Sequence, residues 1–175
     1  MRRILISGGS RGIGRAIVEA FAANGDNVAF LYRSREEEAA QVAQATGAVA
    51  IRADVSDPME ARRAITEAEA ALGGTIDVLV NNAAISWIGQ MQDMTDEEWR
   101  NILDTNLSGA FYLSRGVVSG MVRNHYGRIV SIGSMWGKVG ASCEVAYSAT
   151  KAGIRGLTMA MAKEQAKEAK KNGDA

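Results

Sequence analysis

The stretch "ILISGGSRGIGRAIVEAF" (residues 4–21) decides the fold, because an aliphatic run leads through a glycine-rich turn into an amphipathic segment. Gly8, Gly12 and Gly14 follow the spacing G-x-x-x-G-x-G. Glycines after a strand permit a tight turn and a close approach of a diphosphate to backbone N–H groups at a helix N-terminus. The pattern therefore predicts a strand, a dinucleotide-binding turn and a helix, with a purely structural turn as the alternative.

Short aliphatic or β-branched runs recur along the rest of the chain. They cover residues 2–7, 27–32, 48–53, 76–81 and 127–133. The segments between them place apolar residues at helical spacing, which indicates amphipathic helices. Near-continuous apolar strands that alternate with helices favour a parallel sheet covered on both faces, and right-handed crossovers then give a doubly wound α/β fold. No linker or repeat divides the chain, so we expect one Rossmann-like domain over residues 1–175.

A longer helix is predicted from "MTDEEWRNILDTNLSGAFYLSRGVVSGMVRNHYG" (residues 94–127). Thr95 and Glu98 have the spacing of a capping box at its start. Asn106 and Gly109 fall in the middle of the helix, where both are poor helix formers, and such a local conflict is typical of functional positions. The polar residues 159–175 predict the last turns of another helix and a frayed tail.

Composition excludes several classes of function. The chain has 20 basic and 20 acidic residues, so no charge field indicates nucleic acid or a membrane surface as partner. No apolar run is long enough to span a bilayer. One cysteine, Cys143, and one histidine leave no disulfide and no metal-ligand cluster. We therefore expect a soluble cytoplasmic protein without a metal.

The stretch "FLYRSREEE" (residues 30–38) bears on the choice of dinucleotide. A fold of this kind that prefers NAD usually carries an acid after the second strand, for the ribose 2′-hydroxyl. Here Arg33 and Ser34 take that place, and Arg33 can hold a 2′-phosphate through charge-assisted hydrogen bonds. Arg11 in the glycine turn adds a second cation. NADP(H) is the predicted cofactor; the alternative is a solvated helix start in which Arg35 pairs with the glutamates at 36–38.

Together these motifs resemble the short-chain dehydrogenase/reductase family over residues 2 to about 165. "SGGSRGIG" (residues 7–14) is similar to the cofactor turn of that family, and "NNAA" (residues 81–84) to its N-N-A-G stretch, with Ala84 in place of the glycine. Asp54 matches the acid that contacts the adenine. The resemblance implies a cofactor site formed by Gly8, Ser10, Arg11, Gly12, Ile13, Gly14, Arg33, Ser34, Asp54, Val55, Asn81, Ala83, Tyr147 and Lys151.

The resemblance also implies a catalytic group of Asn106, Ser134, Tyr147 and Lys151. Tyrosine is a poor acid at neutral pH, with a free pKa of about 10. A lysine ammonium one helical turn away favours the phenolate, so Tyr147 becomes a usable general acid for carbonyl reduction. Ser134 can donate a hydrogen bond to the carbonyl oxygen as charge develops there. By resemblance, Lys151 also holds the nicotinamide ribose, and Asn106 anchors a water that relays protons to it.

The expected function is NADPH-dependent reduction of a ketone to a secondary alcohol, and the favoured substrate candidate is a 3-oxoacyl thioester on acyl carrier protein. The segment "SMWGKVGASCEVAYS" (residues 134–148) is also similar to relatives that reduce an aminopentanone on elongation factor P. A catalytically incomplete nucleotide-binding fragment is the third possibility. Trp87 and Trp136 are candidates either for a substrate pocket or for simple packing, and the family resemblance implies a homo-oligomer.

The chain also departs from the family pattern after the helix that carries Tyr147 and Lys151. Relatives in this family usually continue for several dozen residues with a sixth strand, a P-G turn, a substrate loop and a seventh strand. The only proline here is Pro58, so the P-G turn has no counterpart. We therefore expect a Rossmann-like fold truncated after the helix that carries Tyr147 and Lys151, with the substrate loop absent.

Overall fold

The computed structural model describes residues 1–171 of the chain, with side chains as far as residue 165. The predicted frayed tail therefore lies partly outside the described residues. The elements in chain order are β1 (Arg3–Ser7), α1 (Gly12–Ala23), β2 (Asn27–Tyr32), α2 (Glu36–Thr46), β3 (Val49–Arg52), α3 (Pro58–Leu72), β4 (Val78–Asn81), α4 (Asp96–Leu103), α5 (Gly109–Arg123), β5 (Arg128–Ser131), α6 (Trp136–Val139) and α7 (Val145–Lys171).

The five strands form one parallel sheet in the order β3-β2-β1-β4-β5. Ile4 at the centre of the sheet lies opposite Val28 of β2 and Val78 of β4. The strand order reverses between β1 and β4, and in open parallel sheets a ligand crevice lies at the carboxyl ends of the strands at such a reversal. The predicted doubly wound α/β fold is confirmed.

The core lies in two layers, one on each face of the sheet. Leu5 of β1 packs with Leu79 and Leu113 on the face covered by α3 and α5. Its neighbour Ile6 points to the other face and packs with Phe30 in the layer beneath α1 and α2. Because successive side chains of a strand alternate between two buried faces, the strands appear in the sequence as continuous apolar runs.

The predicted long helix forms, but it is not regular. The capping box of Thr95 and Glu98 begins α4, as expected. Between α4 and α5 the chain makes a π-helical turn at Asp104–Ser108, which includes Asn106. Such turns are rare and are frequent at functional sites, and the propensity conflict around Asn106 coincides with this irregularity. Within residues 1–171, no helix combines the length and the apolar composition that crossing a bilayer requires.

Candidate active site

The glycine turn brings the start of α1 against the end of β1. Gly8 has φ 72°, in the left-handed region that favours glycine. The N–H groups of Gly8 and Gly9 both donate to the carbonyl of Leu31 in β2, at 2.9 and 3.0 Å. A Cβ at Gly14 would lie only 2.0 Å from the Gly8 carbonyl oxygen. Only glycine at this position lets α1 begin so close to the turn, and this leaves the N-terminus of the helix open to a ligand.

The residues that follow β4 fix the turn from the other side. The Ser7 hydroxyl oxygen accepts hydrogen bonds from the N–H groups of Asn82 and Ala83, both at 3.0 Å. The Asn82 side-chain amide in turn donates to the carbonyls of Ser7 and Gly8, also at 3.0 Å. Sequence reasoning missed this role of Asn82, for which the paired asparagines at the end of a strand were the available signal.

A cleft of about 400 Å³ opens along the carboxyl ends of the strands, next to the turn. Its volume lies within the range of about 300–1,000 Å³ for small-molecule and cofactor sites. The predicted cofactor residues that line it are Gly8, Ser10, Arg11, Gly12, Ile13, Gly14, Arg33, Ser34, Asp54, Val55 and Ala83. Lining residues that were not predicted include Arg35, Asn82, Ala84, Ile85 and Thr105.

Three arginines line the cleft. Arg11, Arg33 and Arg35 all line it, and the guanidinium of Arg33 lies 3.7 Å from the Asp54 carboxylate. The Arg33 and Asp54 side chains are 48% and 33% exposed, so this ion pair is weak and leaves Arg33 available. Arg35 pairs with Glu38 at 2.8 Å, as the alternative interpretation of this arginine expected. Arg11 and Arg33, which have no such close partner among the described residues, line a dinucleotide-sized cleft, and guanidinium groups there fit a 2′-phosphate.

Three of the residues predicted to hold the cofactor do not line this cleft. The side chain of Asn81 is buried and donates to the Ser114 hydroxyl at 3.0 Å, because the last residue of β4 points into the layer beneath α5. Tyr147 and Lys151 lie on α7, beside the cleft and not in it.

A second pocket, of about 340 Å³, holds the predicted catalytic hydroxyl groups. Ser134 reaches it from the segment after β5, and Tyr147 reaches it from the first turns of α7. Ala84 and Ile85 line both this pocket and the cleft. The two spaces are therefore contiguous, and a cofactor in the cleft would present its inner end to a substrate at Ser134 and Tyr147. The full lining is Ala84, Ile85, Ser86, Ser134, Trp136, Glu144 and Tyr147.

Lys151, one turn further along α7 than Tyr147, is almost completely buried, with 6% of its surface exposed. Its ammonium donates to the carbonyl of Ile132 at 2.7 Å and lies 5.6 Å from the centre of the Tyr147 ring. Burial lowers the pKa of Lys151, because the charged form loses its hydration. The structure thus brings Lys151 and Tyr147 together as the spacing predicts.

Asn106 acts through its side chain as a clamp. Its amide oxygen accepts from the N–H of Ile85 and its amide nitrogen donates to the carbonyl of Ile85, both at 2.8 Å. The same nitrogen donates to the Thr150 hydroxyl of α7 at 3.2 Å. The clamp ties the segment shared by both pockets to the catalytic helix. A cavity of about 10 Å³, the size of one water molecule, is lined by both Asn106 and Lys151.

The two candidate tryptophans have different roles. Trp136 lines the second pocket. Trp87 does not: its indole N–H donates to Glu98 at 2.9 Å, and its ring covers Gly89, where an added Cβ would lie 2.4 Å from the ring. Trp87 therefore holds the loop after β4 against the start of α4, which is a packing role.

Known proteins share both the sequence and the shape of this chain. The profile of the short chain dehydrogenase family matches residues 2–169. An acetoacetyl-CoA reductase of Rhizobium meliloti (strain 1021) is 42% identical over 165 residues, which cover 94% of this chain and 68% of the relative. A 3-oxoacyl-[acyl-carrier-protein] reductase of Escherichia coli (strain K12) is 39% identical over 164 residues, covering 93% and 66%.

A solved structure gives the same result. The crystal structure of a short chain dehydrogenase from Burkholderia cenocepacia J2315 in complex with NADP superposes with a TM-score of 0.85 at 34% identity. The match covers 93% of this chain and 68% of that one, so the chain spans about two thirds of the length of these relatives. The family profile, the identity and the arrangement of Ser134, Tyr147 and Lys151 agree, and the chain belongs to the short chain dehydrogenase family.

Proposed function

We propose that this chain catalyses the NADPH-dependent reduction of a ketone to a secondary alcohol. The observation that carries the proposal is the contiguity of the two pockets. Ala84 and Ile85 form the boundary between a dinucleotide-sized cleft and a pocket that contains Ser134 and Tyr147. A hydride donor and a proton donor can thus act on one carbonyl from different sides. The NADP in the related crystal structure and the arginines that line the cleft support NADP(H) as the cofactor.

Ser134 and Tyr147 of the second pocket have separate roles at the carbonyl oxygen. When bound, NADPH supplies the hydride. Ser134 donates a hydrogen bond to the oxygen, where negative charge develops as the carbonyl is reduced. Tyr147 transfers its phenolic proton to that oxygen, and the nearby Lys151 ammonium stabilises the phenolate that remains. The clamp made by Asn106 keeps the segment at Ile85 in place against α7.

Two substrate classes fit this reaction. A 3-oxoacyl thioester, carried by acyl carrier protein or coenzyme A, is supported by the names of the acetoacetyl-CoA and 3-oxoacyl reductases that resemble the chain. An aminopentanone on elongation factor P is the second candidate. One structural observation favours it: Glu144 is the single charged residue that lines the substrate pocket, and it is acidic.

The direct test is NADPH consumption by the purified chain with acetoacetyl thioesters and with an amino-ketone, followed by the absorbance of NADPH. We expect turnover that depends on the ketone, with one mole of alcohol formed per mole of NADPH. NADPH binding without turnover on either class would contradict the proposal and would leave a catalytically incomplete nucleotide-binding module.

We further propose that the chain forms a homo-oligomer through α4 and α5. The helices expose Trp99 (37%) and Phe111 (40%), large apolar side chains that are costly to leave in water. Size-exclusion chromatography with light scattering at high protein concentration should show a dimer or a larger species. A monomer at all concentrations would refute the proposed homo-oligomer.

A further inference from the structure

Three buried side-chain oxygen atoms have no hydrogen-bond partner among the described residues. They are Oδ1 of Asn81, Oγ1 of Thr105 and Oγ of Ser131. Ser131 is half-buried on the edge strand β5, but Asn81 and Thr105 are each only 6% exposed, so their oxygens are closed off from bulk solvent. A buried polar group without a partner costs the full free energy of its lost hydration. The oxygens of Asn81 and Thr105 therefore call for a partner that is not a side chain.

Asn81 and Thr105 line the same small cavity. Its volume of about 10 Å³ is that of one water molecule, and residues of β4, the π-helical turn, α5 and α7 enclose it. The Asn81 amide nitrogen is used on Ser114, which does not line the cavity, so the oxygen is the amide atom left to face it. A single water in this cavity is the partner that both unpaired oxygens need.

Lys151 supplies the third polar group of the cavity. An ammonium has three donors, and the hydrogen bond to the Ile132 carbonyl uses one of them. A water can accept a hydrogen bond from Lys151 and donate one to Asn81 Oδ1. The Thr105 hydroxyl can either donate or accept, and it brings the water to about three hydrogen bonds, the usual number for a buried water. Such a water returns to the buried ammonium part of the hydration that it loses on folding.

The side chain of Asn106 also lines the cavity, but its hydrogen bonds are made elsewhere. Its amide nitrogen donates to the Ile85 carbonyl and to the Thr150 hydroxyl, which uses both of its donors. Its oxygen accepts from the Ile85 N–H. The side chain that the family resemblance names as the anchor of a water is thus a backbone clamp, and the polar atoms left for a water belong to other residues.

We propose that Asn81 and Thr105 hold a buried water molecule against the Lys151 ammonium, and that Thr105 is thereby a positioning residue for the reaction. The part that concerns catalysis rests on the proposed function, in which the Lys151 ammonium stabilises the Tyr147 phenolate. The water keeps this ammonium solvated and fixes it beside Tyr147. The water site itself is independent of the reaction and is tested without it.

The sign of one stability change tests the water site. Thr105→Val keeps the branched shape of the side chain and removes the hydroxyl. If the hydroxyl holds a water, its loss leaves the water short of a partner, and the urea midpoint should fall. If the hydroxyl is simply unpaired, its removal should leave the midpoint unchanged or raise it, and this result would overturn the site. Thr66→Val, at an exposed position on α3 outside the cavity, is the matched control and should unfold close to the wild type.

A high-resolution crystal structure tests the same site directly. In the wild type and in Thr105→Ser, which keeps the hydroxyl, we expect a water within hydrogen-bond distance of Asn81 Oδ1, the residue-105 hydroxyl and Lys151 Nζ. In Thr105→Val this water should be lost or displaced. A wild-type cavity without a water, or a water that does not contact Thr105, would overturn the proposal.

Steady-state kinetics separates positioning from a purely structural role. With a ketone that the wild type reduces, Thr105→Val should lower kcat about tenfold, the effect of one hydrogen bond, and should leave the KM for NADPH close to the wild-type value. Thr105→Ser should recover most of kcat. A loss of kcat that serine does not recover, or a change in KM alone, would refute the positioning role. If the wild type reduces no ketone, the proposed reduction is what fails, and the urea midpoint and the crystal structure decide the water site.

Discussion

Strands β4 and β5 are hydrogen-bonded neighbours in the sheet, but they differ in how deeply their residues are buried. All four residues of β4, Val78–Asn81, are buried, whereas β5, Arg128–Ser131, alternates between exposed and half-buried residues. Val130 at the centre of β5 is 47% exposed. Each strand leads to one of the two spaces: β4 leads into the cleft beside the glycine turn, and β5 leads to Ser134 in the second pocket.

The difference shows how the two halves of the site are positioned. Around β4 and the glycine turn, close packing leaves no room for a side chain at Gly14. Around β5, polar contacts hold the catalytic residues: Lys151 donates to the Ile132 carbonyl, and Asn106 ties Ile85 to α7. The cofactor half therefore depends on steric fit, and the catalytic half depends on a few hydrogen bonds. The variants below test this division.

The largest effect is expected at Tyr147, because it is the proposed proton donor of the catalytic half. Tyr147→Phe keeps the ring and its contact with Lys151 but removes the proton donor. We expect kcat to fall about 10²- to 10⁴-fold, the usual contribution of a general acid, while NADPH affinity stays close to that of the wild type. Steady-state kinetics and a fluorescence titration with NADPH measure the two quantities. Activity within a few-fold of the wild type would refute the general-acid role.

In the cofactor half, steric fit predicts the next largest effect. In Gly14→Ala the new methyl group would lie 2.0 Å from the Gly8 carbonyl oxygen and 2.5 Å from the Asn82 amide. We expect the free energy of unfolding to fall by about 3 kcal/mol, and NADPH binding to weaken with it. Urea denaturation followed by circular dichroism provides the measurement.

Gly156 provides the matched control, since it is also a helical glycine but has nothing within 4 Å of an added Cβ. Gly156→Ala should stabilise the protein by about 0.5–1 kcal/mol, because alanine is the better helix former. Equal effects of the two substitutions would show that packing at the turn is looser than described.

The polar clamp of the catalytic half can be broken at Asn106. Asn106→Ala removes three hydrogen bonds and leaves both backbone groups of Ile85 without a partner. We expect a loss of about 2 kcal/mol in the free energy of unfolding, and a fall in kcat because the segment between the two pockets is released. Thr150→Val removes the 3.2 Å contact with Asn106 and the 2.8 Å hydrogen bond from the Thr150 hydroxyl to the Tyr147 carbonyl, and it should cost about 1 kcal/mol. If both variants have the same free energy of unfolding as the wild type, these hydrogen bonds do not stabilise the catalytic half of the site.

The smallest expected effect concerns a polar contact at the amino end of β1. Burial of Asp77 acts to raise its pKa, but hydrogen bonds from the Arg3 guanidinium and backbone outweigh it, so the pKa of Asp77 is lowered on folding. A depressed carboxylate pKa stabilises the fold above the unfolded value, and this stability is lost as the pH falls. Between about pH 5 and pH 3 the wild type should lose about 1 kcal/mol more than Asp77→Asn, measured by urea denaturation. If the free energies of unfolding of the wild type and of Asp77→Asn fall by the same amount over this pH range, the prediction is contradicted.

The sequence predicts most of the cofactor half, because its signals are local. The glycine spacing, Arg33 after β2 and the capping box at Thr95 each depend on residues within one turn or one strand end, and the fold confirms their structural part. The contacts of the catalytic half were harder to predict from the sequence. The clamp between Asn106 and Ile85 joins residues 21 positions apart, and only the propensity conflict at Asn106 hinted at it. The direction of the Asn81 side chain, into the layer beneath α5, could not be predicted either, because sequence alone does not show which way the last residue of a strand points.

Arg33 tests most directly whether the cleft is an NADP site connected to the substrate pocket. Fluorescence titrations with NADPH and NADH would be run on the wild type, on Arg33→Asp and on Arg62→Asp, an exposed position on α3 with the same change in charge. We predict that the wild type and Arg62→Asp prefer NADPH, and that Arg33→Asp weakens NADPH binding about 10- to 100-fold more than NADH binding. Equal losses for both cofactors, or no binding of either by the wild type, would contradict the central claim.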